Sequence, residues 1–148
     1  MLRRLCSRRS RRTDHVTLGV QGVVIDEASR VLLVRHGYRP GWHFPGGGVE
    51  RGEKIDHALS RELDEEAGVH LLKSAQLFGI YTNFEAFPGD HIALFLVRHW
   101  RHGRIPRPNA EIIRQRFYTL DDIPQNATPG TKRRLREIFG DTERTCAW

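Results

Sequence analysis

The chain has 148 residues, 39% apolar and 28% charged, with a formal net charge of +6. This composition excludes a disordered chain, and no apolar run reaches the ~20 residues that a membrane-spanning helix requires. Length and apolar content fit one globular domain with a buried core.

The positive charge is local. Residues 1–12, MLRRLCSRRSRR, hold six arginines and no acid, so 18 basic residues face 18 acidic ones in the remainder. They read as a disordered tail whose arginines could touch nucleic-acid phosphates weakly. The stretch lacks the apolar segment of a secretory signal. Cys6 and Cys146 lie near opposite ends with no metal or redox spacing, which points to a reducing, cytoplasmic compartment.

The folded domain is expected over residues 13–141, followed by a C-terminal tail at 142–148. His15 to Ile25 alternates in part and reads as a strand. Arg30 to Arg35, RVLLVR, reads as a second strand, paired with the first as a hairpin or as a neighbour. Gly41 to Gly48, GWHFPGGG, reads as a stiff glycine-rich loop. Lys54 to Ala67 has the period of a helix: Ile55, Leu59 and Leu63 recur every four residues, with Ala58 and Ala67 beside them. Gly68 is its stop. Leu77 to Phe84, His91 to Trp100 and Arg114 to Thr119 read as strands, Leu120 to Ile123 as a short helical turn and Thr131 to Phe139 as a terminal helix. The fold class is α+β, a mixed α/β sandwich.

The central helix contains RELDEEAG, with four carboxylates in eight residues. Glu62, Glu65 and Glu66 share one side at spacings of three and four, where like charges repel. They also lie toward the helix C-terminus, where the dipole disfavours them. A divalent cation would offset both costs, and hard cations prefer such oxygen ligands. Arg61 stands four residues before Glu65 and could fix its rotamer. Glu53 could reach the same edge.

These residues match a known pattern. Gly47 to Val69, GGVERGEKIDHALSRELDEEAGV, resembles the Nudix box: Gly, five residues, Glu, seven residues, then Arg-Glu-apolar-any-Glu-Glu-any-Gly-apolar. Gly47, Glu53, Arg61, Glu62, Leu63, Glu65, Glu66, Gly68 and Val69 all fit. The resemblance implies a Nudix fold, a mixed β-sheet sandwiched between helices, and Mg²⁺- or Mn²⁺-dependent hydrolysis of a nucleoside diphosphate linked to another group, (d)NTPs included. It implies that Glu62, Glu65, Glu66 and the Gly46 carbonyl hold the metal. It gives Arg61 the role of orienting the glutamates, mainly Glu65, and sets Glu53 near the metals or the attacking water. Arg35 resembles an arginine that touches substrate phosphate in some members. A general base can come from the box or from a distant loop. Glu111 is the candidate there, ahead of Glu85 and Asp90.

The box reports chemistry and not substrate. Secondary markers for coenzyme A, ADP-ribose and dinucleoside polyphosphate enzymes are absent from their usual places. Trp42, Phe84, Phe87, Asn83 and Asn109 are the side chains that could hold a base by stacking or hydrogen bonding. Two further readings stand beside the nucleotide hydrolase: removal of pyrophosphate from an RNA 5′ end, and a Nudix-fold binding module without turnover. A monomer or a homodimer is expected.

Overall fold

A computed structural model describes residues 15–148. The Arg-rich segment and Cys6 lie outside the described residues. Nine strands and two α-helices follow in chain order: β1 (Thr17–Val24), β2 (Val31–His36), β3 (Trp42–His43), β4 (Gly46–Gly48), α1 (Ile55–Ala67), β5 (Val69–Leu71), β6 (Gln76–Thr82), β7 (Asp90–Val97), β8 (Trp100–His102), β9 (Ile112–Tyr118) and α2 (Pro129–Phe139), with a 3-10 turn at Leu120–Asp122.

The strands form a four-stranded mixed sheet ordered β4-β1-β7-β6, a three-stranded sheet β3-β2-β9 and a β5-β8 pair. Strand β1 runs parallel to β7 from Thr17↔Asp90 to Val24↔Val97 and antiparallel to β4. The first two strands, expected as a hairpin or as neighbours, pair in neither way and lie in different sheets. Both edges of β1 are taken by β4 and β7, and both edges of β2 by β3 and β9. Only an isolated bridge, Ile25↔Val31, joins their ends. Asp26 closes the intervening turn by accepting bonds from the amides of Ala28 and Arg30.

Two cores result. Val20, Val24, Leu32 and Ala93 pack with Ala58, Leu59, Leu63 and Ala67 of α1. Val23, Val31, Leu33, Trp42, Phe44, Tyr81 and Leu94 pack with Leu135 of α2. Helices thus cover opposite sides of the β-structure, as the fold class requires. Strands β1 and β2 contribute to both cores, which is why their sequences alternate poorly.

Residues 142–148, set apart as a tail from the sequence, pack back onto this body. The amide of Thr82 donates to the Cys146 carbonyl at 2.8 Å, and the Trp148 amide to the Thr82 carbonyl at 2.8 Å. Trp148 meets Tyr81 edge to face. Burial and a hydrogen bond to Glu137 push the Tyr81 phenol up to about 12. A raised tyrosine pKa means the folded state holds the proton more tightly than the unfolded chain. Its contribution is complete below about pH 10 and is lost as pH rises through about 12. Denaturant midpoints measured from pH 8 to 12 should fall above pH 10, and Tyr81→Phe should flatten that fall.

Candidate active site

Helix α1 carries the site because its apolar stripe fixes its rotation. Ala58, Leu59, Leu63 and Ala67 face the core, and the helix ends at Gly68 with φ 63°. Glu66 lies three residues after Leu63, so the same rotation carries its carboxylate inward, to 4% exposure. Its Oε2 accepts a 2.8 Å bond from the Gly46 amide. Gly46 has φ 151°, and a side chain there would run into the Val20 carbonyl. Glycine is therefore what lets this amide reach the glutamate. Burial, with the nearby charges of Glu62 and Glu111, pushes Glu66 up to about 8. The Gly46 amide and Arg39 oppose that shift only in part.

Arg61 organises the other acids. Its Nε and Nη2 donate to the two oxygens of Glu53, each at 2.9 Å. Nη2 also reaches the Gly48 carbonyl at 3.0 Å, and Nη1 reaches Glu62 at 2.7 Å. The fork holds Glu53 down to about 2. Glu62 is raised, because burial outweighs its bond to Arg61. The pairing expected with Glu65 is the weakest of the set, at 3.4 Å, and the Glu65 side chain is 60% exposed. Arg61 thus orients Glu53 and Glu62 foremost. Bidentate bonding of this kind is specific to arginine.

Glu111 arrives from outside the helix. The Asn109 side-chain oxygen accepts from the amides of Glu111 and Ile112, both at 2.8 Å. The Glu111 carbonyl accepts from the Gly37 amide at 2.9 Å. A register irregularity at Arg35/His36 in the β2–β9 pair bends the chain here. Together these place Glu111 close enough to add its charge to both Glu62 and Glu66. Asn109, expected to bind substrate, uses its side-chain oxygen to build this turn.

The structure separates the remaining candidates from the glutamates. Trp42 is 5% exposed and packs edge-on against Tyr118 in the α2-side core, so it offers no free face to a base. Arg35 lies opposite Arg114 and Trp42, on the strand face it shares with Val31 and Leu33. That face looks toward α2, whereas the glutamates lie on the α1 side. Phe84 is exposed on the β6–β7 loop, edge-on to His91. Asn83 and Asp90 bind each other in that loop.

Sequence reasoning missed the β2–β3 corner, HGYRPGWH. It carries His36, Arg39 and His43 to the Glu66 end of α1. The His36 ring meets His43 edge-on at 5.2 Å. Burial, then the nearness of His43 and Arg39, lowers His36 to about 4, so it is neutral. Its Nδ1 lies 3.9 Å from Glu66 Oε1.

Among the described residues, no three His, Cys, Asp or Glu side chains already converge as metal ligands. The donor chemistry nevertheless fits a hard divalent cation. Burial raises both Glu62 and Glu66, and neighbouring carboxylates raise them further, which a cation would reverse. Gly47 makes room for the Glu62 carboxylate, since a Cβ there would lie 2.4 Å from it. Gly47→Ala should therefore displace Glu62 and cut turnover by roughly 10²-fold, while the melting temperature moves little. Steady-state kinetics and thermal unfolding of the variant check this.

Three comparisons bear on this arrangement. A family model described as NUDIX domain matches residues 15–138. A protein of Bacillus subtilis named "Putative 8-oxo-dGTP diphosphatase" is 38% identical over 82% of this chain and 79% of its own. The "NAD-capped RNA hydrolase NudC" of Salmonella heidelberg is 33% identical over 84% of this chain but 47% of its own, so this chain spans about half of that relative. In three dimensions the chain is similar to a MutT NUDIX hydrolase from Burkholderia pseudomallei, with a TM-score of 0.72, 26% identity, and coverage of 84% of this chain and 98% of that one.

Proposed function

The chain belongs to the Nudix family of hydrolases acting on phosphoric anhydride bonds, and on that premise we propose that it hydrolyses a nucleoside polyphosphate, a (d)NTP first, with Mg²⁺ or Mn²⁺ as cofactor. The observation that carries this reading is the crowding of Glu62 and Glu66 of α1 with Glu111 from a separate loop, within one another's charge. The name of the B. subtilis relative favours an oxidised purine deoxynucleotide within this class.

Glu62, Glu65 and Glu66, with the Gly46 carbonyl, would hold the cation. When bound it supplies charge neutralisation for the pyrophosphate. Arg61 keeps Glu53 and Glu62 in place against the glycine strand β4. Glu111 takes the proton of the attacking water. An oxygen–phosphorus bond forms, the bridging phosphorus–oxygen bond breaks, and the leaving pyrophosphate or nucleoside monophosphate departs on the far side. Asn109 positions Glu111 and does not touch substrate.

RNA 5′-end hydrolysis is a second reading, favoured by the name of the NudC relative. The experiment is chromatographic separation of the products formed from the dNTPs, oxidised dGTP, ADP-ribose, NADH, dinucleoside polyphosphates and 5′-capped or triphosphate RNA, with each cation. A dominant (d)NTP supports the proposal. A dominant RNA transfers it to the second reading. Ligand binding without turnover of any member assigns a binding module.

A further inference from the structure

One polar atom beside the glutamates has no task in the mechanism above. The His36 side chain is 5% exposed, and its Nδ1 is buried without a hydrogen-bond partner. Buried polar atoms in folded proteins are almost always paired, so an orphan asks for an occupant. The nearest candidate acceptor, Glu66 Oε1, is 3.9 Å away, too far for a direct bond. The other oxygen of Glu66 is already taken by the Gly46 amide. Thus a carboxylate oxygen and an unpartnered imidazole nitrogen stand side by side.

The ring is held in this pose. His36 ends β2, and its ring is flanked by Tyr38 at 5.3 Å and by His43 at 5.2 Å. The neighbouring His43 has its Nε2 engaged with the Pro40 carbonyl at 3.0 Å. Two ligands on one ion at about 2.1 Å each lie between roughly 3.0 and 4.2 Å apart. The observed 3.9 Å is about 0.9 Å longer than the spacing of adjacent ligands, so shared ligation requires the two side chains to close by that much.

We propose that His36 Nδ1 is a nitrogen ligand to the cation held by Glu66, and that it biases the site toward first-row transition ions over Mg²⁺. This inference rests on the hydrolase reading, since it presumes a cation at the glutamates. The chemistry is that of donor softness. Imidazole binds transition ions well, whereas Mg²⁺ is satisfied by carboxylate, carbonyl and water oxygens. An all-oxygen site would show no such bias beyond the general order of affinities, and the site would lose nothing by replacing His36 with an amide.

The test is metal binding to the full chain, measured without substrate. Calorimetry with Co²⁺ and with Mg²⁺ is run on the wild type, His36→Gln and Glu66→Gln. In His36→Gln, Co²⁺ affinity should fall by at least about tenfold while Mg²⁺ affinity stays within about twofold. The wild-type protein loaded with Co²⁺ should also show a strongly hyperfine-shifted imidazole N–H resonance by NMR. That measurement needs no variant and holds if His36→Gln fails to fold. Equal losses for both ions would make His36 a packing residue and overturn the inference, as would Co²⁺ binding with no shifted imidazole. Failure of both ions to bind the wild type would overturn the hydrolase reading itself, whereas Glu66-dependent binding indifferent to His36 would overturn this inference alone.

Discussion

Glu66→Gln is expected to reduce kcat by roughly 10³-fold or more while leaving the fold intact. The substitution keeps the shape of the side chain, and the amide oxygen can still accept from the Gly46 amide. What disappears is the negative charge, and with it the carboxylate that a divalent cation needs. Without metal the variant should be at least as stable as the parent. Burial already pushes Glu66 up to about 8, which shows that its charged form is costly in that environment. Loss of turnover with an unchanged or raised melting temperature therefore separates a functional role from a structural one. A variant that kept its rate within a few-fold would remove Glu66, and the α1 site with it, from the chemistry.

The same residue shows how far the sequence could be read. The stripe of Leu59 and Leu63 set the rotation of α1, and it also implied that position 66 turns inward, because 66 follows 63 by three. The charge pattern alone places Glu66 beside Glu65, whereas the fold buries Glu66 and exposes Glu65. The box pattern named the acids, but the choice between Glu53, Glu62 and Glu65 as partners of Arg61 needed the β4 strand. Its glycines bring Glu62 and the Gly48 carbonyl within reach of the guanidinium. Strands β3 and β4 were hidden in a run that reads as loop, since glycine and proline carry little strand signal. Trp42 illustrates the reverse error. An aromatic beside a glycine loop suggested a stacking platform, while its register opposite Arg35 turns it into the core. Glu111 was legible as an acid of the right kind. The Asx turn at Asn109 that aims it became visible only with the fold.

Arg134→Ala should cost about 3–5 kcal/mol of stability, a large share of what a domain of this size holds. Arg134 is fully buried in α2 and donates to Glu137 at 2.8 Å, to Thr145 at 3.0 Å and to the Ala147 carbonyl at 2.9 Å. Its guanidinium lies 4.1 Å from the Tyr81 ring centroid. Truncation leaves Glu137 buried with the Tyr81 hydroxyl and the Thr145 amide but no positive partner. It also frees the segment 142–148, which the α2 arginine ties to the body. Burying two charges is expensive in the first place, so the pair itself contributes less than the single variant suggests. The double variant Arg134→Met with Glu137→Leu should accordingly recover part of the loss, giving a coupling of opposite sign to simple addition. Urea unfolding of the two single variants and the double one measures this directly. Amide exchange at Thr82 and Trp148 should quicken in every variant that lacks Arg134, because both amides pair across the tail. Additive single losses with unchanged exchange would mean that the buried pair neither couples nor fastens the chain end.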